Sequence, residues 1–269
     1  EGDVMQGHTT DEKTTVTGTG EEKSVRSVER AFSILMCFTL DEDELTLMDI
    51  ARKMHLPTTT VSRMVNTLVG LGFLEKSPGK TYSLGANLYY LGAVARNHFK
   101  LQKIVYPYMK QVRDTTKEAV SLYVLDGDAR VCYEHVESLL SMRCVVRVGD
   151  RFPLWAGAAG KCLLAYADPE LVDRELAKAK PITPTTIISR EAFLADLETI
   201  RKKGHAISYG EREEGITSIA VPVFHPKNKV TTVFSVAGPS VRFTDEIIEE
   251  LLPVVKAMTE EISRSLSYR

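Results

Sequence analysis

Apolar residues recur along this chain with two different periods. Val25, Val28, Phe32, Leu35 and Met36 follow the i, i+3, i+4 pattern of an amphipathic helix, which the acidic run 41–44 ends. Leu47, Ile50, Ala51 and Met54 line one face of a second helix, with Thr46 as its N-cap. His55-Leu56-Pro57 then breaks the chain, because proline disfavours helix in the residue before it. Val61, Met64, Val65, Leu68 and Leu71 give a third helix its inward face; Thr58 or Thr59 caps its start and Gly72 its end. Strand-like runs at 73–76 and 81–84 flank Ser77-Pro78-Gly79-Lys80, which has the turn chemistry of a hairpin tip. The order helix, helix, turn, helix, hairpin within about 60 residues predicts a winged helix-turn-helix.

Residues 84–105 read as a helical connector striped by Leu88, Leu91, Ala95 and Phe99. A helix of this kind pairs with its copy or packs on its own domain. From Ala119 the period becomes two. Strands are expected at 120–125, 130–136 and 142–148, helices at 160–167, 169–179 and 190–203, and a second hairpin at 216–224 and 230–236 around 226–229. A last helix over 247–266 is capped by Thr244, with Asp245 and Glu246 in its first turn. Strands interrupted by helices and then resumed predict an α+β domain. Residues 1–23 are rich in Thr, Gly and acidic groups and almost free of large hydrophobes, so they are expected to be a disordered tail. The predicted plan is therefore tail 1–23, winged helix-turn-helix 24–85, linker helix 86–104 and a second domain over 105–269.

Composition narrows the class. A chain of 269 residues with 43% hydrophobic and 26% charged residues fits two globular domains. There is neither an apolar run of the roughly 18 residues a membrane span needs nor a signal-peptide pattern, so a cytoplasmic protein without a membrane partner is expected. Cys37, Cys132, Cys144 and Cys162 form no C-x-x-C pair, so they are read as small buried hydrophobes rather than metal ligands or a disulfide framework. The net charge of −2 conceals an uneven distribution: residues 45–100 carry seven basic and two acidic groups, while residues 101–269 carry 23 of each. A local basic excess points to nucleic acid only when the fold beneath it agrees.

Here it does. On the third helix Thr59, Ser62, Arg63 and Asn66 lie opposite the apolar face. Arginine grips guanine and asparagine grips adenine through paired hydrogen bonds, which makes Arg63 and Asn66 candidate base readers. The hydroxyls of Thr58, Thr59, Thr60 and Ser62 suit phosphates or thymine methyls, and Arg26, Lys76 and Lys80 are phosphate candidates. The competing reading of each is an ordinary solvated face.

In the second domain, Gly157, Ala158 and Ala159 allow close approach to a ligand, and their N–H groups precede a predicted helix, which favours an anion. The competing reading is a tight turn packed for its own sake. Trp155, the sole tryptophan, walls a pocket for a larger acid or packs in the core. Gly160-Lys161 invites comparison with a phosphate-binding loop. The comparison fails, because Trp155 stands where the first glycine belongs and Cys162 where a magnesium-binding hydroxyl belongs. Cys162 with His135 or His205 lacks any nucleophile signature, and Glu211, Glu213 and Glu214 read as a solvated loop. No catalytic constellation, metal cluster or cofactor motif emerges, so an enzyme is not expected.

Several motifs occur together in order. They are Ser24 to Phe32 (SVRSVERAF), the segment 47–74 with Leu71-Gly72-Phe73, Thr81 to Gly85 (TYSLG), Leu91-Gly92, 156–165 (AGAAGKCLLA), 204–208 (GHAIS), 219–223 (IAVPV) and 235–239 (SVAGP). In this the chain resembles the IclR family of bacterial transcription regulators over almost everything after the tail. The resemblance implies a GAF-like effector domain with a curved antiparallel sheet and flanking helices, a homodimer or homotetramer, and palindromic operator DNA. It also implies a small organic effector, often a carboxylate from catabolism, and hence an effector-controlled regulator, read here as the repressor of a catabolic operon. For the pocket it implies the backbone amides of Ala158 and Ala159. Ser208 stands where many members have Asp, and Ser218 where many have Cys. Ser235 and Ala237 stand for a Ser-x-Ser pair, so one hydroxyl is missing. No basic side chain is among these donors, so the expected grip on an acid is by amides and hydroxyls alone.

Overall fold

In the computed structural model, residues 25–96, 100–225 and 229–267 are described, and the chain divides into two compact units, the first ending at Ala86 and the second running from Asn87, with the short segment Thr39–Glu42 grouped with the second. The expected tail 1–23, Phe99 and most of the second hairpin's tip lie outside the described residues.

The first unit comprises α1 (Arg26–Leu35), β1 (Leu45–Thr46), α2 (Leu47–Met54), α3 (Thr58–Gly70), β2 (Leu74–Lys76) and β3 (Thr81–Leu84). Thr46 caps α2 in a capping box: its hydroxyl accepts from the Asp49 N–H while the Asp49 carboxylate accepts from the Thr46 N–H. His55, forced left-handed at φ 51°, ends α2, and Pro57 rather than a threonine is the N-cap of α3, so Thr58 is already helical. Ile34, Ile50, Val61, Val65 and Leu74 close the core. The sequence reading missed β1, two residues that pair with β3 to make the wing three-stranded. Gly85 packs against the α3 exit so closely that a Cβ there would stand 2.3 Å from the Gly72 carbonyl oxygen.

The second unit carries α4 (Ala86–Arg96), α5 (Lys100–Thr116), β4 (Ala119–Asp126), β5 (Ala129–Val136), β6 (Arg151–Pro153), α6 (Ala158–Leu164), α7 (Pro169–Lys178), α8 (Arg190–Lys203), β7 (Ala206–Tyr209), β8 (Ile216–His225), β9 (Lys229–Pro239) and α9 (Asp245–Ser267). The expected connector is thus described as α4 and α5, and α5 runs through Pro107 well past the expected end. The strands form one antiparallel sheet in the order β6-β5-β4-β9-β8-β7. Alternation sorts its side chains. Leu122, Ile219, Val221, Phe234 and Val236 face α5 and α9, while Tyr123, Ala220 and Val233 face α6 to α8. Helices on both faces of a curved antiparallel sheet make the expected GAF-like α+β architecture. The strand expected at 142–148 is absent: its alternation comes from Cys144 and Val146, buried from an irregular crossing segment, and the next strand is β6.

Candidate functional site

The first unit presents α3 edge-on. Val61, Val65 and Leu68 are buried, which leaves Thr59, Thr60, Arg63, Met64, Asn66 and Thr67 lining a shallow concavity on the opposite side. The structure thus groups Arg63 and Asn66 with Thr59 and Thr60; Thr58 is exposed at the helix start and Ser62 is half-buried. Met64, expected on the inward face, lines this concavity instead and is half-buried, as does Thr67, which the sequence reading did not select; the Thr67 hydroxyl donates to the Arg63 carbonyl at 2.9 Å. On the wing the Lys76 ammonium lies 5.8 Å from the Tyr82 ring centroid. Lys80 sits at the hairpin tip with φ 63°, exposed, and Arg26 opens α1, also exposed.

The second unit holds a cavity between the sheet and α6. Two cross-strand rows form its floor. In one, Ser208 pairs with Ser218, Ser218 with Ala237, and Ala237 with Ala119; in the next, Ala220 pairs with Ser235, Ser235 with Ser121, and Ser121 with His135. Alanine and serine keep this floor low, which leaves the space under the helix. Gly157, Ala158 and Ala159 cover it from α6, Cys144 and Val146 from the crossing segment, and Arg212 and Glu213 from the β7–β8 loop. The volume open to the centre of a water molecule inside it is about 30 Å³.

The cover depends on two glycines. Gly157, at φ 82° and ψ 158°, occupies a region that side-chain-bearing residues avoid. Gly160 admits no side chain, because a Cβ would stand 2.3 Å from the Leu154 carbonyl oxygen. Beneath them Lys161 is 1% exposed, and its ammonium contacts Glu211 at 2.5 Å and Asp196 at 2.8 Å. Glu211 in turn accepts from the Gly157 N–H at 3.4 Å. The lysine of the would-be phosphate loop is therefore an internal tie between α6, α8 and the β7–β8 loop.

All the expected pocket residues except one line the cavity. Ala158, Ala159, Ser208, Ser218 and Ser235 do; Trp155 does not, because its indole N–H donates to the Lys180 carbonyl at 3.2 Å and its ring packs on the core. The Ser235 hydroxyl donates to the Ile219 carbonyl at 2.8 Å, which leaves its oxygen as an acceptor. Ser121 bonds His135 Nδ1 at 2.9 Å, and burial lowers the His135 pKa below its ordinary 6.5, so the ring is neutral at pH 7.

The cavity also contains a cation, contrary to the expectation of a grip without basic side chains. Arg130 lines it from β5 and is 3% exposed. Residues 130 and 135 would face opposite sides of a regular strand. The register shifts, however: Ser121 pairs with His135 but Tyr123 pairs with Cys132, and this bulge brings both to the cavity face. The Arg130 guanidinium lies 5.2 Å from the Tyr123 ring centroid and 5.3 Å from that of Phe152. Its Nε has no hydrogen-bond partner among the described residues. Burial pushes its pKa down from 12.5 to about 10, still charged at neutral pH. The sequence offers only a partial signal: Arg130 is in phase with Cys132, which is buried on the same side of the sheet, whereas beyond the bulge Val136 is buried on the other.

A winged helix with an exposed polar face on α3, joined in one chain to a second unit with a polar cavity, has the parts of a DNA-binding regulator. The family model for the IclR helix-turn-helix domain matches residues 27–78, and that for the C-terminal part of bacterial IclR transcriptional regulators matches residues 93–264. This chain belongs to the IclR family. It is 32% identical over 248 residues to the HTH-type transcriptional regulator KdgR of Escherichia coli K12, covering 91% of this chain and 94% of KdgR. The crystal structure of an IclR-type regulator from Alicyclobacillus acidocaldarius superposes with TM-score 0.80 at 30% identity, covering 90% of this chain and 98% of that one. An IclR homologue from Microbacterium hydrocarbonoxydans complexed with 4-hydroxybenzoate superposes with TM-score 0.76 at 27% identity, covering 89% and 99%. The chain is accordingly a DNA-binding transcriptional regulator and not an enzyme. Among the described residues no helix is long and apolar enough to cross a membrane.

Proposed function

We propose that this regulator represses a catabolic operon, and that a small organic acid bound in the sheet–α6 cavity lifts the repression. The observation that carries this reading is the cavity itself: a floor of serines and alanines under a glycine-dependent loop at the start of α6, in a domain whose family includes a regulator complexed with an aromatic hydroxy acid. Ala158 and Ala159 supply backbone N–H groups, and Ser208, Ser218 and Ser235 supply hydroxyls. Arg63 and Asn66 read base edges, Thr58, Thr59, Thr60 and Ser62 contact phosphates or methyls, and Arg26, Lys76 and Lys80 hold the backbone of double-stranded operator DNA. The protein works as a homodimer or homotetramer, since two recognition helices one helical turn apart read a palindrome. The exposed apolar side of α4, with Tyr89, Tyr90, Leu91 and Val94, supports self-pairing. The cytoplasm is where such a protein meets DNA.

Thermal-shift screening against a panel of carboxylic acids, starting with 4-hydroxybenzoate, tests the reading, because a ligand that binds only the folded state raises its stability by RT ln(1 + [L]/Kd). Acids that raise the melting temperature and also release the protein from DNA support it. A panel in which no acid does either contradicts it.

A further inference from the structure

The cavity contains a charge that the fold leaves unanswered. A buried guanidinium is costly unless an anion answers it. Arg130 is 3% exposed and forms no ion pair among the described residues, and its Nε has no acceptor. Its neighbours explain how it is held but do not neutralise it. The rings of Tyr123 and Phe152 pack on it, and Arg212, whose guanidinium lies 4.6 Å from the Phe152 ring centroid, adds a second positive charge. The carboxylates nearby are engaged elsewhere: Glu211 is tied to Lys161, and Glu213 pairs with Arg212 at 3.4 Å on the rim. Both Arg130 terminal nitrogens lie 3.5 Å from the point where a Cβ on Gly157 would stand, so glycine at 157 keeps open the space in front of them.

Resting on the reading of this cavity as the effector site, we propose that Arg130 is the residue that selects a carboxylate, gripping both of its oxygens. The opposite end of the cavity defines the rest of the ligand. Ser208 and Ser218 sit on β7 and β8, and β8 is three strand spacings from β5, about 14 Å at 4.7–4.9 Å per strand. An acid that meets both ends carries a hydroxyl or oxo group remote from its carboxylate. The guanidinium supplies two parallel charge-assisted hydrogen bonds, a geometry that lysine's single ammonium cannot reproduce.

The test compares monocarboxylates whose hydroxyl or oxo group is remote from the carboxylate, 4-hydroxybenzoate among them, with their primary amides, by calorimetric titration and thermal shift, on the wild-type chain, Arg130→Gln, Arg130→Lys and Arg130→Met. The wild type is expected to bind acids and not amides. Arg130→Gln should weaken acid binding by roughly tenfold to a hundredfold and lose the acid-over-amide preference, with Arg130→Lys between them. Arg130→Met should melt no lower than the wild type, because it removes an unpaired buried charge rather than a structural bond. Acids that bind Arg130→Gln as well as the wild type would overturn the assignment while leaving the cavity's role intact. A marked loss of melting temperature in Arg130→Met would overturn it too, by showing the arginine to be structural. If no acid binds the wild type, the effector reading falls with it.

Discussion

Replacing Lys161 with methionine removes one member of a buried ionic cluster and leaves the others in place. The lysine is 1% exposed, and Glu211, its closest partner, is 5% exposed. Their 2.5 Å contact, the 2.8 Å contact to Asp196 and the 3.4 Å bond from the Gly157 N–H to Glu211 are what hold the α6 loop and the β7–β8 loop together. Methionine fills similar space, so the loss is electrostatic: Glu211 is left buried with one amide. Breaking a buried pair by removing one partner costs about 3–5 kcal/mol. For a domain of this size each kcal/mol shifts the melting temperature by about 2–4 °C, so a fall of roughly 10 °C is expected. Replacing the pair together, Lys161→Met with Glu211→Leu, should recover most of that loss, because an apolar replacement of a buried ion pair is often neutral. Asp196, at 28% side-chain exposure, can then turn to water. Denaturant unfolding followed by circular dichroism gives both numbers. A single variant that loses less than about 1 kcal/mol, or a double variant no better than the single, would refute the view that this cluster anchors the cavity's cover.

Other expectations follow from the same geometry. Gly160→Ala places a carbon 2.3 Å from the Leu154 carbonyl oxygen and should cost several kcal/mol and collapse acid binding; differential scanning fluorimetry of the variant reads the first directly. Arg63→Ala should cost about 1–3 kcal/mol in operator affinity and relax base preference, whereas Lys80→Ala should weaken all sequences alike and flatten the salt slope, both measured by fluorescence anisotropy. Burial lowers the pKa of His135, His205 and His225. The unfolded chain therefore binds more protons as pH falls through 6.5, and stability should drop below that pH and be regained above it; urea midpoints from pH 5 to 8 check the sign.

Much of this molecule was legible from spacing. The winged helix followed from the 3.6-residue period, Thr46, Pro57 and the wing's turn residues, because in a small unit local rules and tertiary packing agree. The two-residue wing strand β1 was not legible: it exists only because β3 lies beside it. The segment 142–148 misled because alternating burial of Cys144 and Val146 imitates a strand without any pairing partner. The serine positions of the cavity were legible only through the family resemblance, since register across four strands is a long-range property. Arg130 escaped because a charged residue directly after a turn reads as solvated. The bulge that puts it on the same face as His135 leaves no mark in sequence. Trp155 was drawn toward the cavity by its neighbours in the chain, yet its indole is committed to Lys180.

In this scheme occupancy of the sheet–α6 cavity governs DNA binding. It is tested most directly by anisotropy titration of the full chain onto a labelled duplex selected by the protein from a random pool, with and without the tightest-binding acid found in the screen. The acid is expected to change the wild-type dissociation constant by about 5–150-fold, the range of an ordinary allosteric coupling, and an Ala158→Leu variant to bind the duplex normally but no longer respond. Unchanged affinity in the presence of saturating acid, or a full response in Ala158→Leu, would contradict it.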